Sequence, residues 1–188
     1  MSHTTTVKTV PIASENALRS AVANLQAKGV NCELVANKRP RMYYRDQINR
    51  HIKQKRPDDF EFHEDVEECD FVLKLPDAYY DVGFLRDAKT NELVPLFDDY
   101  NYFSTVKEYR SGSMPIRDVI GSKFKGKIEH WNGLHKKGET DQTLHSIGGL
   151  LSEYSKEAVI EAAESAGHTI SDITPNDDGS IVVEIETY

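Results

Sequence analysis

The chain has 188 residues, with 23 Lys and Arg against 31 Asp and Glu, so its formal net charge is −8. This length suits one domain and allows a hydrophobic core without covalent crosslinks. Two cysteines, Cys32 and Cys69, are too few for a disulfide framework or a four-thiolate zinc site, and no CxxC redox pair occurs. We expect both to be buried, reduced side chains.

The first elements predicted along the chain are a helix and a strand. Ser14 is a favourable N-cap, and Gly29 is a favourable helix stop. The apolar residues between them recur at helical spacing, namely Ala17, Leu18, Ala21, Val22 and Leu25. The segment Val30 to Val35 then predicts a strand.

Three further strands are predicted in the middle of the chain. Apolar residues alternate at 71, 73 and 75, and again at 80, 82 and 84, on either side of Pro76. Residues 93–97 add another strand after a turn-rich stretch. This alternation is typical of strands that bury one face.

The C-terminal part repeats the helix–Gly–strand order. Ser152 or Ser155 is the predicted N-cap, Gly167 the predicted end, and one helix side carries Val159, Ala162, Ala163 and Ala166. Strands are predicted over 168–174 and from residue 181 onward, joined by a turn at Asp178-Gly179.

These elements predict a single α+β domain over residues 1–188, with an antiparallel sheet and helices on one face. A ferredoxin-like arrangement is the simplest version. Two parts depart from it: residues 38–70 form a charged excursion, and residues 99–149, rich in Gly, Ser, Lys and aromatics, form a long irregular insertion outside the core.

No run approaches the roughly 18 apolar residues that a membrane span needs. The N-terminal residues also lack the charged-then-apolar layout of a signal peptide. We therefore expect a soluble, cytoplasmic protein with no membrane partner.

Several short segments occur in an order that resembles a known family. They are Met1-Ser2-His3 before Val7-Lys8-Thr9, a helix beginning near Glu15, Cys69 to Pro76, Tyr80 to Phe84, and Asp178 to Ile181. The chain resembles the ycf-type domain-of-unknown-function family of plastids, cyanobacteria and tailed phages over roughly residues 1–37, 69–98 and 150–188. The resemblance implies a phage or cyanobacterial source and a cytoplasmic (host cytoplasm, if phage-encoded) location. It implies no catalytic residues, since the family has no assigned activity.

Charge is concentrated in two basic segments. The first basic segment, residues 38–56, has eight Lys and Arg against Asp46, a local charge of +7. The second basic segment, residues 107–137, has eight Lys and Arg against three acidic residues, a local charge of +5. The rest of the chain therefore carries −20, so the total charge does not exclude a polyanionic partner.

A protein binds single-stranded nucleic acid with cations that contact the phosphates and aromatic rings that stack on the bases. Both basic segments contain both kinds of side chain. Because no helix-turn-helix, zinc-finger or RNP-like motif is present, RNA or single-stranded DNA fits better than duplex. We predict a non-enzymatic nucleic-acid-binding protein of low sequence specificity. Its predicted binding residues are Lys38, Arg39, Arg41, Tyr43, Tyr44, Arg45, Arg50, Lys53, Lys55, Arg56, Lys123, Lys125, Lys127 and Trp131.

The sequence leaves two alternatives open. An acidic segment, residues 58–70, has eight Asp and Glu and no Lys or Arg. It directly follows the first basic segment, so the two runs can pair within the chain or simply keep the protein soluble. The second alternative is a protein-interaction module, for example a phage factor whose acidic segment binds a basic host protein.

Catalysis and metal binding have little support. The sequence has no G-x-S-x-G elbow, P-loop or dinucleotide fingerprint. Neither His130, His135 and His145 nor the pair His63 and Cys69 has the spacing of a zinc site. We expect no enzyme activity, metal or cofactor, and we interpret Asp81 as a structural hydrogen-bond acceptor.

Overall fold

The structure is a computed structural model that describes residues 4–6, 12–41, 68–98, 114–121, 126–130, 138–142, 146–175 and 181–186. Its helices are α1 (Glu15–Ala27), α2 (Ile116–Ile120) and α3 (Gly148–Ser165). Its strands are β1 (Thr4–Thr6), β2 (Glu33–Lys38), β3 (Cys69–Lys74), β4 (Val82–Arg86), β5 (Leu93–Asp98), β6 (Gly126–His130), β7 (Gly138–Gln142), β8 (Thr169–Pro175) and β9 (Ile181–Glu186).

The main sheet has five antiparallel strands in the order β1-β5-β4-β3-β2. Its register aligns Leu34, Leu73, Val82 and Phe97 across four neighbouring strands. Because directly opposed residues share a face, this row forms one apolar ridge. The predicted α+β class with an antiparallel sheet is confirmed.

Helix α1 follows its sequence pattern closely. The Ser14 side chain accepts a hydrogen bond from the Ala17 backbone N–H at 3.1 Å, which satisfies one free donor of the first turn. All five predicted apolar positions of α1 are buried. Gly29 follows the helix with a φ of +86°, a left-handed conformation that glycine adopts without steric cost.

The main core lies between the helices and one face of the sheet. All three described helices contribute to it, including Leu18 of α1, Ile120 of α2 and Leu150 of α3. The opposite face of the sheet carries a second buried cluster, formed by Cys69, Val72, Leu85 and Leu96. The central strands are therefore buried on both faces, which explains why their sequences are almost continuously apolar.

The expectation that residues 99–149 lie outside the core is wrong for α2 and for Ile147. Ile116, Ile120 and Ile147 are almost fully buried in the main core. Gly149 lies so close to α2 that a Cβ there would be 2.6 Å from the Ile120 carbonyl oxygen. This region also contains a regular antiparallel pair, β6 with β7. Ile116 and Ile120 do have helical spacing, but a helix of five residues is too short to give a recognisable periodic pattern.

Helix α3 begins earlier than predicted. It starts at Gly148 rather than after Ser152 or Ser155, because Leu150, Leu151 and Tyr154 in its first two turns pack into the core. The predicted apolar side is also wrong in part. Ala163 is buried, whereas Val159, Ala162 and Ala166 are exposed. Tertiary packing, not a capping side chain, sets where this helix begins.

The C-terminal strands do not join the main sheet. Among the described residues, β8 and β9 form a separate two-stranded antiparallel sheet that contacts α3. The ferredoxin-like arrangement is not confirmed, since β2 to β5 follow one another as a meander instead of interleaving. None of the helices described has the length and apolarity needed to cross a bilayer.

Candidate nucleic-acid interface

The segment Leu75–Asp81 connects β3 to β4 and holds one residue from each basic segment. Leu75 and Ala78 are fully buried, so this connection is packed into the main core. Arg41 of the first basic segment binds its two ends, and Met114 of the second basic segment binds its middle. The connection is therefore one place at which both basic segments contact the folded core.

Arg41 and Asp81 form a compact ion pair at this connection. The Arg41 Nη2 donates to Asp81 Oδ1 at 2.7 Å, and its Nε lies 3.1 Å from both carboxylate oxygens. The Arg41 backbone N–H donates to Oδ2 at 2.8 Å, and the Leu75 N–H donates to Oδ1 at 3.1 Å. The Arg41 guanidinium also donates to the Leu75 carbonyl at 2.6 Å. Asp81 is 3% exposed, so its charge is compensated almost entirely by these donors.

Asp81 thus has the structural role expected from the sequence. The position of Arg41 changes its predicted role, because its charge is already balanced by Asp81. Arg41 positions the start of the first basic segment, and it offers phosphate less than a free cation would. Sequence reasoning missed this partnership because 40 positions separate the two residues.

Met114 is held by two backbone hydrogen bonds. The Tyr79 N–H donates to the Met114 carbonyl at 2.8 Å, and the Met114 N–H donates to the Asp77 carbonyl at 2.8 Å. These bonds form an isolated parallel bridge between Ala78 and Met114. No side-chain chemistry is involved, so nothing in the sequence indicates this contact.

The predicted binding residues divide into two groups. Lys38 and Arg39 are exposed at the end of β2, next to Arg41, and Lys127 lies in β6 at the position opposite Asp141. The others fall outside the described residues: Tyr43, Tyr44, Arg45, Arg50, Lys53, Lys55, Arg56, Lys123, Lys125 and Trp131.

The C-terminal end of the acidic segment joins the main sheet next to the start of the first basic segment. The β2–β3 register places Lys38 opposite Cys69. Asp70 accepts a hydrogen bond from the Arg86 backbone N–H at 2.9 Å and lies 3.9 Å from the Arg86 Nε, and Glu68 is exposed. The described end of the acidic segment is thus used to bind β4.

Two tyrosines lie within the connection between the basic segments. The rings of Tyr79 and Tyr80 have centroids 6.3 Å apart and are inclined by 48°. Both side chains are half-buried, and Tyr80 packs against the main core. They bring aromatic surface to the place where the two basic segments meet.

A polar seam between α1 and α3 accounts for a second set of charged groups. Buried Glu153 binds Lys28 and Lys156, and Glu157 accepts from Asn24 Nδ2 at 2.8 Å. Burial by itself raises the pKa of Glu153, but the hydrogen bonds from Lys28 and Lys156 outweigh it and hold that pKa below its usual value. These contacts hold the two antiparallel helices together.

The two thiols are structural. Cys32 and Cys69 are buried and unpaired, as predicted. Burial, followed by the charge of Asp70, raises the pKa of Cys69 to about 12, so its reactive thiolate form is scarce at neutral pH. Gly83 lies against this thiol, since a Cβ there would be 2.7 Å from the Cys69 Sγ. Across the described ranges, no three His, Cys, Asp or Glu side chains are grouped as metal ligands would be.

No family model, curated protein or solved structure matches the chain. The resemblance to the ycf-type family therefore stays a prediction.

Proposed function

We propose that this protein binds RNA or single-stranded DNA, without catalysis and with little sequence preference. One observation carries the proposal: residues from both basic segments bind the same short connection, Leu75–Asp81. Segments of +7 and +5 that each contact the same connection create a joint positive potential, which attracts a polyanion more strongly than either segment alone.

The arrangement at the connection supports this role in a second way. Asp81 neutralises the charge of Arg41, so the core tolerates the start of a highly basic segment at its surface. Lys38 and Arg39 stay exposed beside it. Binding then follows the usual logic for single strands: lysines and arginines displace condensed counterions, and aromatic rings stack on bases. The ycf-type resemblance favours a phage or cyanobacterial cytoplasm as its location.

One observation favours the alternative in which the charged runs pair with each other. Lys38 lies opposite Cys69, so the first basic segment and the acidic segment leave neighbouring strands at the same end. Pairing between them would neutralise the +7 charge before any nucleic acid arrives. The experiment must therefore separate binding from internal pairing.

The test is a fluorescence-anisotropy titration with labelled 20-nucleotide U-rich RNA and mixed-sequence DNA at 50 and 200 mM salt. If six phosphates are contacted, a slope of about −0.7 per phosphate weakens binding roughly 300-fold between the two salt concentrations. We expect similar affinities for both oligonucleotides. Affinity weaker than millimolar at 50 mM salt would refute the proposal.

Charge reversal locates the site. Replacing both Arg45 and Arg50 by Glu removes two phosphate contacts, and the slope should fall by about 1.4. The matched control is Lys89→Glu, an exposed residue after β4. It lies beyond the five residues of β4, about 17 Å from Asp81 along the strand. If Arg45→Glu/Arg50→Glu leaves oligonucleotide binding unchanged but lowers the free energy of unfolding more at 50 mM than at 200 mM salt, and Lys89→Glu does not, the internal pairing is correct.

A further inference from the structure

The β8–β9 hairpin has one entirely apolar face. Register pairs Ile170 with Ile185 and Ile173 with Val183. Directly opposed residues share a face of the sheet, and so do residues two apart on a regular strand. Val183 and Ile185 are two apart on β9, so both pairs lie on the same face of the hairpin. A register shift between Ile170 and Asp172 explains how two isoleucines three positions apart reach the same face.

This face is only partly covered. Helix α3 contacts both strands, and Ile170 and Val183 are half-buried. Ile173 and Ile185 remain 37% and 40% exposed, and Val182 on the other face is 46% exposed. The two core clusters formed by the described residues include none of the hairpin side chains. Val159 of α3 is also 43% exposed.

The charge around the hairpin indicates what can bind there. Residues 162–188 contain six Asp and Glu and no Lys or Arg, a local charge of −6. On the polar face of the hairpin, Asp172 lies directly opposite Glu184, a like-charge pair that destabilises an antiparallel sheet. A second copy would set one acidic surface against another, whereas a cationic partner would relieve the repulsion.

We propose that the β8–β9 hairpin, together with the C-terminal half of α3, is a docking surface for a basic, apolar segment of another protein. Apolar side chains of the partner cover Ile173 and Ile185, and its long Lys or Arg side chains reach around the edge of this two-stranded sheet to Asp172 and Glu184 on the other face. This surface uses none of the residues of the proposed nucleic-acid interface, and it differs from the acidic segment 58–70 that the sequence suggested for a protein partner.

The test uses three synthetic 14-residue peptides: an amphipathic Leu/Lys peptide, a Ser/Lys peptide of equal charge, and a Leu/Glu peptide. Binding is measured by anisotropy with the full chain, and the site is mapped by ¹⁵N chemical-shift changes. We expect the Leu/Lys peptide to bind at least tenfold more tightly than either control, with shifts in α3, β8 and β9. Ile173→Ser/Ile185→Ser should weaken it at least fivefold, and so should Asp172→Asn/Glu184→Gln.

Two controls keep the result decisive. Glu33→Gln removes one exposed carboxylate on β2 and should leave peptide affinity unchanged. All four replaced hairpin side chains are exposed, so circular dichroism should show an unchanged fold. Equal binding of the Ser/Lys and Leu/Lys peptides would overturn the proposal. So would shifts confined to other strands, or self-association in sedimentation velocity that Ile173→Ser/Ile185→Ser abolishes.

Discussion

Replacing Asp81 by Asn tests whether the ion pair with Arg41 stabilises the connection between β3 and β4. Asparagine keeps the volume of the side chain, so no cavity forms and only the electrostatics and hydrogen bonding change. The carboxylate accepts from the Arg41 guanidinium, the Arg41 N–H and the Leu75 N–H. An amide has only one acceptor oxygen, and its NH₂ group cannot accept a hydrogen bond. At least one of these N–H groups therefore faces the amide nitrogen and loses its acceptor.

The magnitude follows from these contacts. Hydrogen bonds to a charged group contribute about 1.5–3 kcal/mol, and a buried N–H left without an acceptor costs about 1–3 kcal/mol. The Arg41 side chain is 49% exposed, so water recovers part of the loss on its side. We therefore expect Asp81→Asn to lower the free energy of unfolding by about 3 kcal/mol. With a urea m-value of about 2 kcal/mol/M, the midpoint falls by roughly 1.5 M.

The measurement is urea unfolding followed by circular dichroism at 222 nm. The matched control is Asp77→Asn in the same connection, an exposed side chain whose loss should change stability by less than about 0.5 kcal/mol. Combining Asp81→Asn with Arg41→Ala should give a non-additive result, since each removes the same pair. If Asp81→Asn is no more destabilising than Asp77→Asn, the interpretation of the ion pair is wrong.

Three further predictions concern the ion pairs of Glu153, the close approach of Gly83 and the burial of Cys69. Glu153 has a lowered pKa, so its bonds to Lys28 and Lys156 contribute stability above the ordinary Glu value near ~4.3 that is lost as pH falls through the folded value. Urea midpoints between pH 6 and 3 should therefore fall less steeply in Glu153→Gln than in the wild type. An equal pH dependence would contradict this. Gly83→Ala should lower the free energy of unfolding by about 1–3 kcal/mol, because its Cβ would meet the Cys69 Sγ, and Cys69→Ala should restore part of it. Rescue that fails would place the clash elsewhere. The Cys69 thiol, with a pKa of about 12, should react with a disulfide reagent at pH 8 only when urea unfolds the chain. Rapid labelling of native protein, assigned to Cys69 by peptide mapping, would exclude its burial.

Local pattern was sufficient wherever an element buries a regular stripe. Helix α1, with its Ser14 cap and five apolar positions, was predictable in full, because cap chemistry and helical spacing are properties of adjacent residues. The strands β3, β4 and β5 were predictable within about two residues for the same reason. Helix α3 was not, because the burial of Leu150 and Tyr154 depends on where α1 and α2 lie.

The candidate site divides in the same way. The two basic segments and the acidic C-terminal region follow from counting charges along the chain. Their convergence on Leu75–Asp81 does not, because the contacts of Met114 are made by backbone atoms that every residue possesses. The apolar face of the hairpin also required the register, since the shift between Ile170 and Asp172 breaks the simple alternation that sequence inspection assumes.

The sequence by itself determined the α+β class, the helix α1, the central strands and the distribution of charge, since each depends on neighbouring residues. Only the tertiary structure decided that Arg41 is paired with Asp81, that isoleucines from 114–121 and 146–147 complete the core, and that β8 and β9 leave the main sheet. The physical reason is that burial and ion pairing depend on distances in space, and residues 40 or more positions apart leave no periodic trace of them in the chain.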